Sequence, residues 1–276
     1  MEKKIPVMIN GLPGNMASLV ESTLSMNPNF EAVTVSLSGP EIDRWHKGKS
    51  GDIQLYEPCK HKEVMTEVAE QWRDSGLVII DFTQPDAIED NVRLYCENRI
   101  PFVTGTTGGN RDALSKMVED SKISAVIAPN MSVPIVMLMD MIMFAATSYP
   151  GALKDWEIRI VESHQVSKKD VSGTALAIGE VLKELGVNYC GPNNIHAIRD
   201  EIEQRIMGVP ELALGGHGWH KYSLISPDSN VKLGFEHNIN GRDTYVNGTL
   251  LALNFLVKLR GETGGKCYSM KNVMQG

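Results

Sequence analysis

The first 130 residues of the chain alternate short apolar segments with amphipathic segments long enough to form helices. Most of the apolar segments are continuous, which is typical of strands buried on both faces of a parallel sheet. Strands are predicted at 5–10, 31–38, 77–82, 101–104 and 124–128. Helices are predicted between them at 16–26, 61–74, 85–98 and 110–121. Strands that alternate with helices predict βαβ units and therefore an N-terminal Rossmann-like parallel sheet.

After residue 130 this alternation stops, and strands separated by Gly, Pro, Asp and Asn turns predict a mixed sheet. The predicted elements are helices at 134–148 and 174–185 and strands at 155–163, 195–206, 218–225 and 230–237. A last apolar helix, 244–260, is expected to return to the first domain. We therefore predict an α/β protein with a first domain at 1–130, completed by 241–276, and a second, α+β domain at 131–240.

The formal net charge is −7, so no overall basic field is available to collect nucleic acid or anionic lipid. The expected partner is a small molecule held by a local cluster of groups. The N-terminal segment, 1–10, has no apolar signal-peptide core, and no apolar stretch is long enough to span a membrane. We therefore expect a cytoplasmic protein.

No metal site is predicted. The four cysteines, Cys59, Cys96, Cys190 and Cys267, are far apart and form no C-x-x-C pair. His217 and His220 have the spacing of a metal pair, but no cluster of cysteines or carboxylates adjoins them in the sequence. We interpret both as histidines satisfied within a sheet.

A glycine-rich turn follows the first predicted strand and opens the first predicted helix. Glycines let the backbone approach a pyrophosphate, and the helix N-terminus attracts its charge. The pattern departs from G-x-G-x-x-G, since the middle glycine is displaced and Ala17 stands where the third is usual. The alternative is a tight turn with no ligand. The predicted cofactor contacts in this turn are Gly11, Leu12, Pro13, Gly14, Asn15 and Met16.

The end of the second predicted strand indicates which dinucleotide binds. NAD-binding proteins usually carry Asp or Glu there to accept from the ribose hydroxyls, but this chain has Ser38, with Arg44 and Lys47 downstream. Hydroxyls and cations suit a phosphate, so NADPH is the expected cofactor. The alternatives are that Glu41 fills the acidic role or that NADH binds as well.

Two further loops follow predicted strands at the carboxyl edge of the sheet, where ligands of such folds bind. One contains three glycines and two threonines, at 105–109, and the other is 128–132. The alternative for each is a structural turn. The residues predicted to contact the cofactor are Gly105, Thr106, Thr107, Ala128, Pro129, Asn130 and Met131.

The segment 162–175 combines the groups that proton transfer and carboxylate binding require. His164 supplies an imidazole, Lys168 supplies an ammonium four residues later, and Ser172 begins a Ser-Gly-Thr helix opening whose N–H groups suit a carboxylate. Lys168 is the expected proton donor, because burial and a nearby cation tune the pKa of an amine. The alternative for an isolated H-x-x-x-K pattern is a surface loop.

Taken together, these motifs resemble the dihydrodipicolinate reductase family. The resemblance is carried by the G-T-T-G loop at 105–108, the P-N-M-S segment at 129–132 and E-S-H-x-x-x-K-x-D-x-S-G-T-A from Glu162. It extends to G-F-E-H-N at 234–238, which leads to Arg242, and covers nearly the whole chain.

The resemblance implies NAD(P)H-dependent reduction of 4-hydroxy-tetrahydrodipicolinate to tetrahydrodipicolinate, in the diaminopimelate route to lysine. His164 would be a proton donor or acceptor and Lys168 the proton donor, while Gly173 and Thr174 would bind a substrate carboxylate. Arg242 would be a second carboxylate contact or a hinge contact, with an ordinary salt bridge as the alternative. The first domain would bind the dinucleotide, and the second would bind substrate and form a homo-oligomer, a tetramer or a dimer.

The chain departs from many bacterial members of that family. Gln165 stands where they carry a second histidine, and Val171 precedes the Ser-Gly-Thr in a loop one residue shorter. This variant resembles the plant-type branch, and it leaves open whether Gln165 contacts substrate. A plant-type protein normally carries a plastid transit peptide, so the plastid stroma is the expected location if the chain is a trimmed plant protein.

Two rival functions remain at this point. Another two-domain NAD(P) dehydrogenase of aspartate-family metabolism would explain the first half, but not the segment 162–175. A non-catalytic dinucleotide-binding protein would need only the glycine loop. Substitution of Lys168 separates the rivals, because only an enzyme loses turnover while keeping cofactor binding.

Overall fold

A computed structural model describes residues 4–40, 44–260 and 265–276. The contacts divide the chain into two compact units. One extends to Val133 and includes the C-terminal part from Tyr245, and the other is Pro134–Thr244. Glu41, the alternative acidic contact, lies outside the described residues.

The strands and helices of the described residues follow the chain in this order. The strands are β1 (Ile5–Asn10), β2 (Phe30–Ala32), β3 (Val35–Leu37), β4 (Trp45–Gly48), β5 (Gly51–Tyr56), β6 (Val78–Asp81), β7 (Phe102–Thr104), β8 (Ser124–Ile127), β9 (Glu157–His164), β10 (Ile195–Ile198), β11 (His217–Ile225), β12 (Lys232–Asn240) and β13 (Lys266–Tyr268). The helices are α1 (Asn15–Leu24), α2 (His61–Gln71), α3 (Ile88–Glu97), α4 (Arg111–Ser121), α5 (Val133–Ser148), α6 (Gly173–Glu184), α7 (Glu201–Met207), α8 (Asp243–Lys258) and α9 (Met270–Gln275).

The first unit is built on a six-stranded sheet in the order β13-β8-β7-β6-β1-β2. All of its strand pairs are parallel. Its central strands β1, β6 and β7 are buried along almost their whole length, as their continuous apolar sequences require. The predicted Rossmann-like parallel sheet is confirmed. Its carboxyl edge brings together the ends of β1, β6, β7 and β8.

The segment 31–38 is not one strand, as predicted, but two. β2 pairs with β1, whereas β3 pairs with β5 in a separate three-stranded sheet of order β3-β5-β4. The break follows Val33, whose N–H bonds to Val7 while the carbonyl of Thr34 accepts from Gln54. The strand partner therefore changes within one residue, which β-branched alternation in the sequence does not reveal.

The second unit is built on a mixed sheet in the order β10-β9-β11-β12. β10 runs parallel to β9, and the other pairs are antiparallel. Side chains of β9, α6 and β11 form its core, including Ile160, Ile178 and Tyr222. The predicted second α+β domain with a mixed sheet is confirmed as a fold.

The predicted strand at 195–206 is wrong after its first four residues. Asp200 ends the extended segment and caps α7, since its carboxylate accepts from the backbone N–H groups of Ile202 and Glu203. Gly208 then ends the helix in the left-handed conformation. Aspartate is a preferred N-cap residue, so Asp200 could have predicted the start of this helix. The apolar alternation of the segment suggested a strand instead.

The last helix, α8, packs within the first unit over its length from Tyr245. A Cβ atom at Gly248 would lie 1.7 Å from the carbonyl oxygen of Met131, so the helix approaches the loop after β8 as closely as glycine allows. Within the described ranges, no helix has the length and hydropathy needed to cross a bilayer.

Candidate active site

The glycine turn after β1 has no room for side chains. Gly11 has φ +99°, and a Cβ there would lie 2.4 Å from the carbonyl oxygen of Phe82. A Cβ at Gly14 would lie 2.7 Å from the carbonyl oxygen of Gly11. α1 begins directly after this turn, and no side-chain hydrogen bond caps it at Gly14. The first N–H groups of the helix are thereby available to an anionic ligand.

This turn lines a cavity of about 830 Å³ in the first unit. A volume of this order suits a cofactor or drug-sized ligand. The residues that line it include five predicted cofactor contacts and several that sequence reasoning missed. The predicted ones are Gly11, Leu12, Pro13, Gly14 and Ser38, and the others include His61, Lys62, Phe82, Thr83 and Asn91.

The other predicted cofactor residues lie at the same edge of the sheet but outside the lining of this cavity. Asn15 and Met16 form the first turn of α1. The loop 105–107 follows β7, and 128–131 follows β8. Arg44 and Lys47 are exposed and are not among the lining residues, whereas Lys62 at the start of α2 is.

A buried carboxylate joins the loops at this edge, and sequence reasoning did not identify it. Asp81, at the end of β6, is fully buried. It accepts hydrogen bonds from Thr83 N and Oγ1 (2.9 and 2.8 Å), Thr106 Oγ1 (2.9 Å), Tyr95 Oη (2.5 Å) and Asn91 Nδ2 (3.3 Å). The loops after β6 and β7 therefore share one anchor.

The same network continues to β1 and β3. Asn10 donates to Tyr95 Oη (2.9 Å) and accepts from the N–H of Leu37 (2.9 Å). Ser38 donates to the carbonyl oxygen of Leu12 (2.5 Å). Burial and the neighbouring Asp81 carboxylate raise the pKa of Tyr95 well above its ordinary value, so the phenol stays a donor. These hydrogen bonds fix the position of the glycine turn.

In the second unit, His164 ends β9 with its ring held by the neighbouring strand. Its Nδ1 lies 2.9 Å from the carbonyl oxygen of His217. Because a carbonyl can only accept, Nδ1 carries the hydrogen, and Nε2 keeps a lone pair. Burial, with the positive charges of Lys168 and Arg199, lowers the pKa of His164 to about 4. At neutral pH this imidazole is an acceptor.

Gly218 gives the His164 ring its space. The two residues are paired across β9 and β11, and a Cβ at Gly218 would lie 3.0 Å from Cε1 of His164. That separation is shorter than an ordinary van der Waals contact between carbon atoms. A side chain at Gly218 would therefore displace the ring.

The interpretation of His217 and His220 as satisfied histidines is right for one of them and wrong for the other. His217 bonds to Ser163 Oγ (2.7 Å) and the carbonyl of Ala213 (3.1 Å). His220 is only 3 % exposed, and neither ring nitrogen has a hydrogen-bond partner among the described residues.

His220 lies within a cluster of imidazoles. Its ring centroid is 5.1 Å from that of His164 and 4.5 Å from that of His237. Burial and these two rings lower the pKa of His220 to about 2, and burial lowers that of His237 to about 4. Nε2 of His220 is 3.8 Å from Oε2 of Glu162, which is not an ion pair because the imidazole is neutral.

Glu162, His164 and His220 each offer one ligand atom within 4.8 Å of the others. Both oxygens of Glu162 already have partners, since Oε1 pairs with Arg199 at 2.6 Å and Oε2 accepts from the N–H of Ser172 at 2.8 Å. The expectation of no metal stays a prediction.

Lys168 lies in the loop between β9 and α6 and is half-buried. Its ammonium makes no ion pair with any described residue. At the end of this loop, Ser172 caps α6, and Gly173 and Thr174 begin the helix. The structure therefore brings His164, Lys168 and the helix start together in one segment of the second unit.

Two further predicted residues have different surroundings. Gln165 follows the strand directly, and its carbonyl accepts from the N–H of Lys168 at 3.0 Å. The Arg242 guanidinium lies near Gly216, 3.5 Å from where a Cβ would stand. It forms no ion pair with a described residue, which disfavours the salt-bridge alternative.

Sequence reasoning missed the residues that hold this segment from behind. Arg199, after β10, donates to the carbonyl of Lys168 and to the carboxylate of Glu162. Gln204, which is fully buried, donates to the carbonyl of His164 at 2.7 Å. No local motif predicts either residue, since each bonds to a segment that lies about 30 or more residues away in the chain.

Two family models match the chain in succession. Residues 5–131 match "Dihydrodipicolinate reductase, N-terminus", and residues 135–274 match "Dihydrodipicolinate reductase, C-terminus". The chain belongs to the dihydrodipicolinate reductase family. The family predicted from the motifs is confirmed.

Plant relatives resemble the chain over nearly its whole length. It is 36% identical over 276 residues to the probable 4-hydroxy-tetrahydrodipicolinate reductase 1, chloroplastic, of Oryza sativa subsp. japonica, covering 98% of this chain and 78% of that protein. It is 37% identical over 275 residues to 4-hydroxy-tetrahydrodipicolinate reductase 1, chloroplastic, of Arabidopsis thaliana, with the same coverage. The predicted plant-type branch is confirmed.

A solved structure shares the fold of this reductase family member. The dipicolinate-bound dihydrodipicolinate reductase of Paenisporosarcina sp. TG-14 aligns with a TM-score of 0.65 and 18% sequence identity. The alignment covers 96% of this chain and 97% of that chain.

Removing the Asp81 carboxylate should destabilise the first unit. Asp81→Ala removes an acceptor shared by Thr106, Asn91 and Tyr95 and leaves the buried Tyr95 hydroxyl with no acceptor, so we expect the free energy of unfolding to fall by about 3 kcal/mol. Urea unfolding measures this loss. Asp120→Ala, an exposed position on α4, is the control. Equal midpoints for the two variants would contradict an anchoring role.

The neutral imidazoles predict a loss of stability in acid. A histidine in the unfolded chain binds a proton below about pH 6.5, whereas His220 stays neutral in the folded protein down to a much lower pH. The free energy of unfolding therefore falls as the pH falls. The slope is about 1.4 kcal/mol per pH unit for each such group. The groups around His220 are Glu162, His164, His237 and Arg199, with Tyr222 stacked against it.

His220→Phe removes one of these groups while keeping a ring of similar size. We expect its loss of stability between pH 6.5 and 5 to be smaller than that of the unmodified protein by about 2 kcal/mol. Urea unfolding at both pH values is the measurement, with the exposed His196→Phe as control. The same acid dependence in His220→Phe and the unmodified protein would show that His220 titrates normally.

Proposed function

We propose that this chain catalyses NAD(P)H-dependent reduction of 4-hydroxy-tetrahydrodipicolinate, or its dehydrated form, to tetrahydrodipicolinate, a step in the diaminopimelate route to lysine. The family match over both units supports this reaction. So do the names of the rice and Arabidopsis relatives. The observation that carries the proposal is the segment 164–174, in which a neutral imidazole, an ammonium and a helix start lie together.

The first unit has the features that a dinucleotide requires. Side chains are excluded at Gly11 and Gly14, and the cavity beside them is about 830 Å³. The nicotinamide cofactor would supply the hydride. Gly11–Gly14 would hold the pyrophosphate against the start of α1, and the network anchored on Asp81 would keep that turn and the loop 105–107 in place.

The second unit would supply the proton. Addition of hydride to one atom of a C=C or C=N bond requires a proton on its neighbour, and Lys168 would donate it. A general acid of this kind typically contributes about 10²–10⁴-fold in rate. His164 is neutral with a free lone pair on Nε2, so it would accept a proton or a substrate hydrogen bond.

The carboxylates of the substrate would bind at cationic and N–H-rich positions of the same unit. Gly173 and Thr174 would bind one through the helix N-terminus. Arg242, which has no competing ion pair among the described residues, would bind the other. Gln165 adjoins His164 and would contribute a polar contact.

We extend this assignment to the domains, the assembly and the location. Residues 1–130 with 241–276 would bind the cofactor, and 131–240 would bind substrate and mediate a homo-oligomer, a tetramer or a dimer. The plastid stroma is the proposed location, supported by the names of the chloroplastic relatives. The cytoplasm is the alternative.

We propose NADPH as the preferred cofactor. Ser38 lines the cavity at the end of β3, where an NAD-specific protein usually carries a carboxylate, and Lys62 lines it from the start of α2. An ammonium and a hydroxyl suit the 2′-phosphate of NADPH. Lys62 replaces Arg44 and Lys47 as the supporting cation, because those two side chains do not line the cavity.

Substitution of Lys168 tests the proposed chemistry. Lys168→Met keeps the length of the side chain but removes the proton, so we expect turnover to fall about 10²–10⁴-fold with NADPH binding retained. NADPH oxidation is followed with substrate generated in situ from pyruvate and aspartate semialdehyde. Lys169→Met, at the exposed neighbouring residue, is the control.

Two results would refute parts of this assignment. Turnover in Lys168→Met within a few fold of the unmodified protein would exclude Lys168 as the donor. Absence of NADPH and NADH consumption by the folded, unmodified protein would exclude the reductase and favour a non-catalytic dinucleotide-binding protein.

The cofactor preference has its own test. Lys62→Met should raise the KM for NADPH about tenfold, the effect of one charge-assisted contact, and change the KM for NADH little. Lys60→Met is the matched control, because Lys60 is exposed and already paired with Glu63. An equal rise for both cofactors would show that Lys62 does not read the 2′-phosphate.

A further inference from the structure

The loop that carries Lys168 is fixed by an ion pair outside it. We propose that Arg199, paired with the buried Glu162, is a positioning residue that sets the location of the Lys168 ammonium. The inference rests on the proposed role of Lys168 as proton donor. Arg199 itself would not touch the substrate but would act through Lys168.

All three nitrogens of the Arg199 guanidinium donate hydrogen bonds within the protein. Nε donates to the carbonyl of Lys168 at 2.9 Å, and Nη1 donates to the carbonyl of Ile198 at 2.9 Å. Nη2 donates to the carbonyl of Asp170 at 3.1 Å and to Oε1 of Glu162 at 2.6 Å. One planar group therefore bonds to the loop backbone at two points, on either side of residue 169.

Glu162 extends this attachment to the end of the loop. Its second oxygen, Oε2, accepts from the N–H of Ser172 at 2.8 Å. The Glu162 side chain is 0% exposed and that of Arg199 is 20% exposed. The ion pair thus fixes residues 168, 170 and 172 from one side, which limits the positions that the Lys168 side chain can reach.

Shape, rather than charge alone, makes Arg199 suited to this role. A guanidinium presents its donors in a rigid fork, whereas an ammonium is a point donor on a flexible stem. A lysine at this position would keep Glu162 paired but would not bond simultaneously to the carbonyls of Lys168 and Asp170. Displacement of a reacting group by 1 Å costs about 10²-fold in rate.

A second contact from the same short segment supports a positioning function. Gln204 donates to the carbonyl of His164 at 2.7 Å. The end of β10 and the first turns of α7 therefore hold the backbone at both proposed proton-transfer residues.

A double-variant cycle tests whether Arg199 acts through Lys168. Arg199→Met in the unmodified protein should lower kcat about 10²-fold and leave the KM for NADPH unchanged. In the Lys168→Met background the same change should lower kcat less than about threefold, because the group that it positions is already gone. Arg199→Lys should be intermediate in the first background.

The control is Arg205→Met, on α7, whose ion pairs with Glu201 and Glu211 are exposed and do not reach the loop. It should leave kcat within about twofold in both backgrounds. Thermal unfolding and circular dichroism are recorded for every variant. If Arg199→Met does not fold because Glu162 loses its partner, the cycle is measured with Arg199→Lys, with an expected loss of about tenfold in the unmodified background.

Three outcomes overturn the inference. Equal losses in both backgrounds would mean that Arg199 acts independently of Lys168. No loss in the unmodified background would mean that the loop holds its position without Arg199. A rise in the KM for dicarboxylate substrate with kcat unchanged would make Arg199 a binding residue. Failure of the proposed reaction is distinct from all three, since the unmodified protein would then consume no cofactor.

Discussion

The second unit depends on a buried ion pair. A carboxylate with no exposed surface, such as that of Glu162, is tolerated only when a partner and hydrogen bonds replace its hydration. Arg199 and the N–H of Ser172 provide them. Glu162 lies on β9, Arg199 follows β10, and Ser172 caps α6. The bonds that stabilise the Glu162 carboxylate therefore also hold these three elements in position relative to one another. The loop that carries Lys168 is bounded by that arrangement.

The first unit uses the same principle with neutral partners. Asp81, also at a strand end, is surrounded by hydroxyl, amide and backbone donors, and no cation bonds to it within the described part of the chain. Hydrogen bonds to the charged form stabilise a carboxylate without a counter-ion. Each unit therefore has a buried acid at a sheet edge whose role is to organise loops. Asp81 belongs to no motif that the sequence analysis recognised, and Glu162 begins the family motif but was not recognised there as a buried acid.

Sequence reading succeeded where the determinants are local. Continuous apolar runs identified the parallel strands, and the motifs from Glu162 to Ala175 identified the family. It failed where a choice depends on distant partners. The strand at 31–38 changes sheets because β5 competes with β1. Arg199 was overlooked for the same reason, since its acceptors in the Lys168 loop lie about 30 residues earlier. The error at 195–206 is different, because the N-cap Asp200 is a local signal that the apolar alternation of the segment outweighed.

Gly218 contributes to the position of His164 through the absence of a side chain. It lies within a regular strand, where glycine is usually a weakness, and its backbone gives no reason for glycine. Because Gly218 carries a hydrogen atom where other residues carry a Cβ, the His164 ring can occupy the adjacent space. An alanine there would add a single methyl group and still crowd the imidazole. The orientation of the His164 imidazole therefore depends on the absence of a side chain on the neighbouring strand.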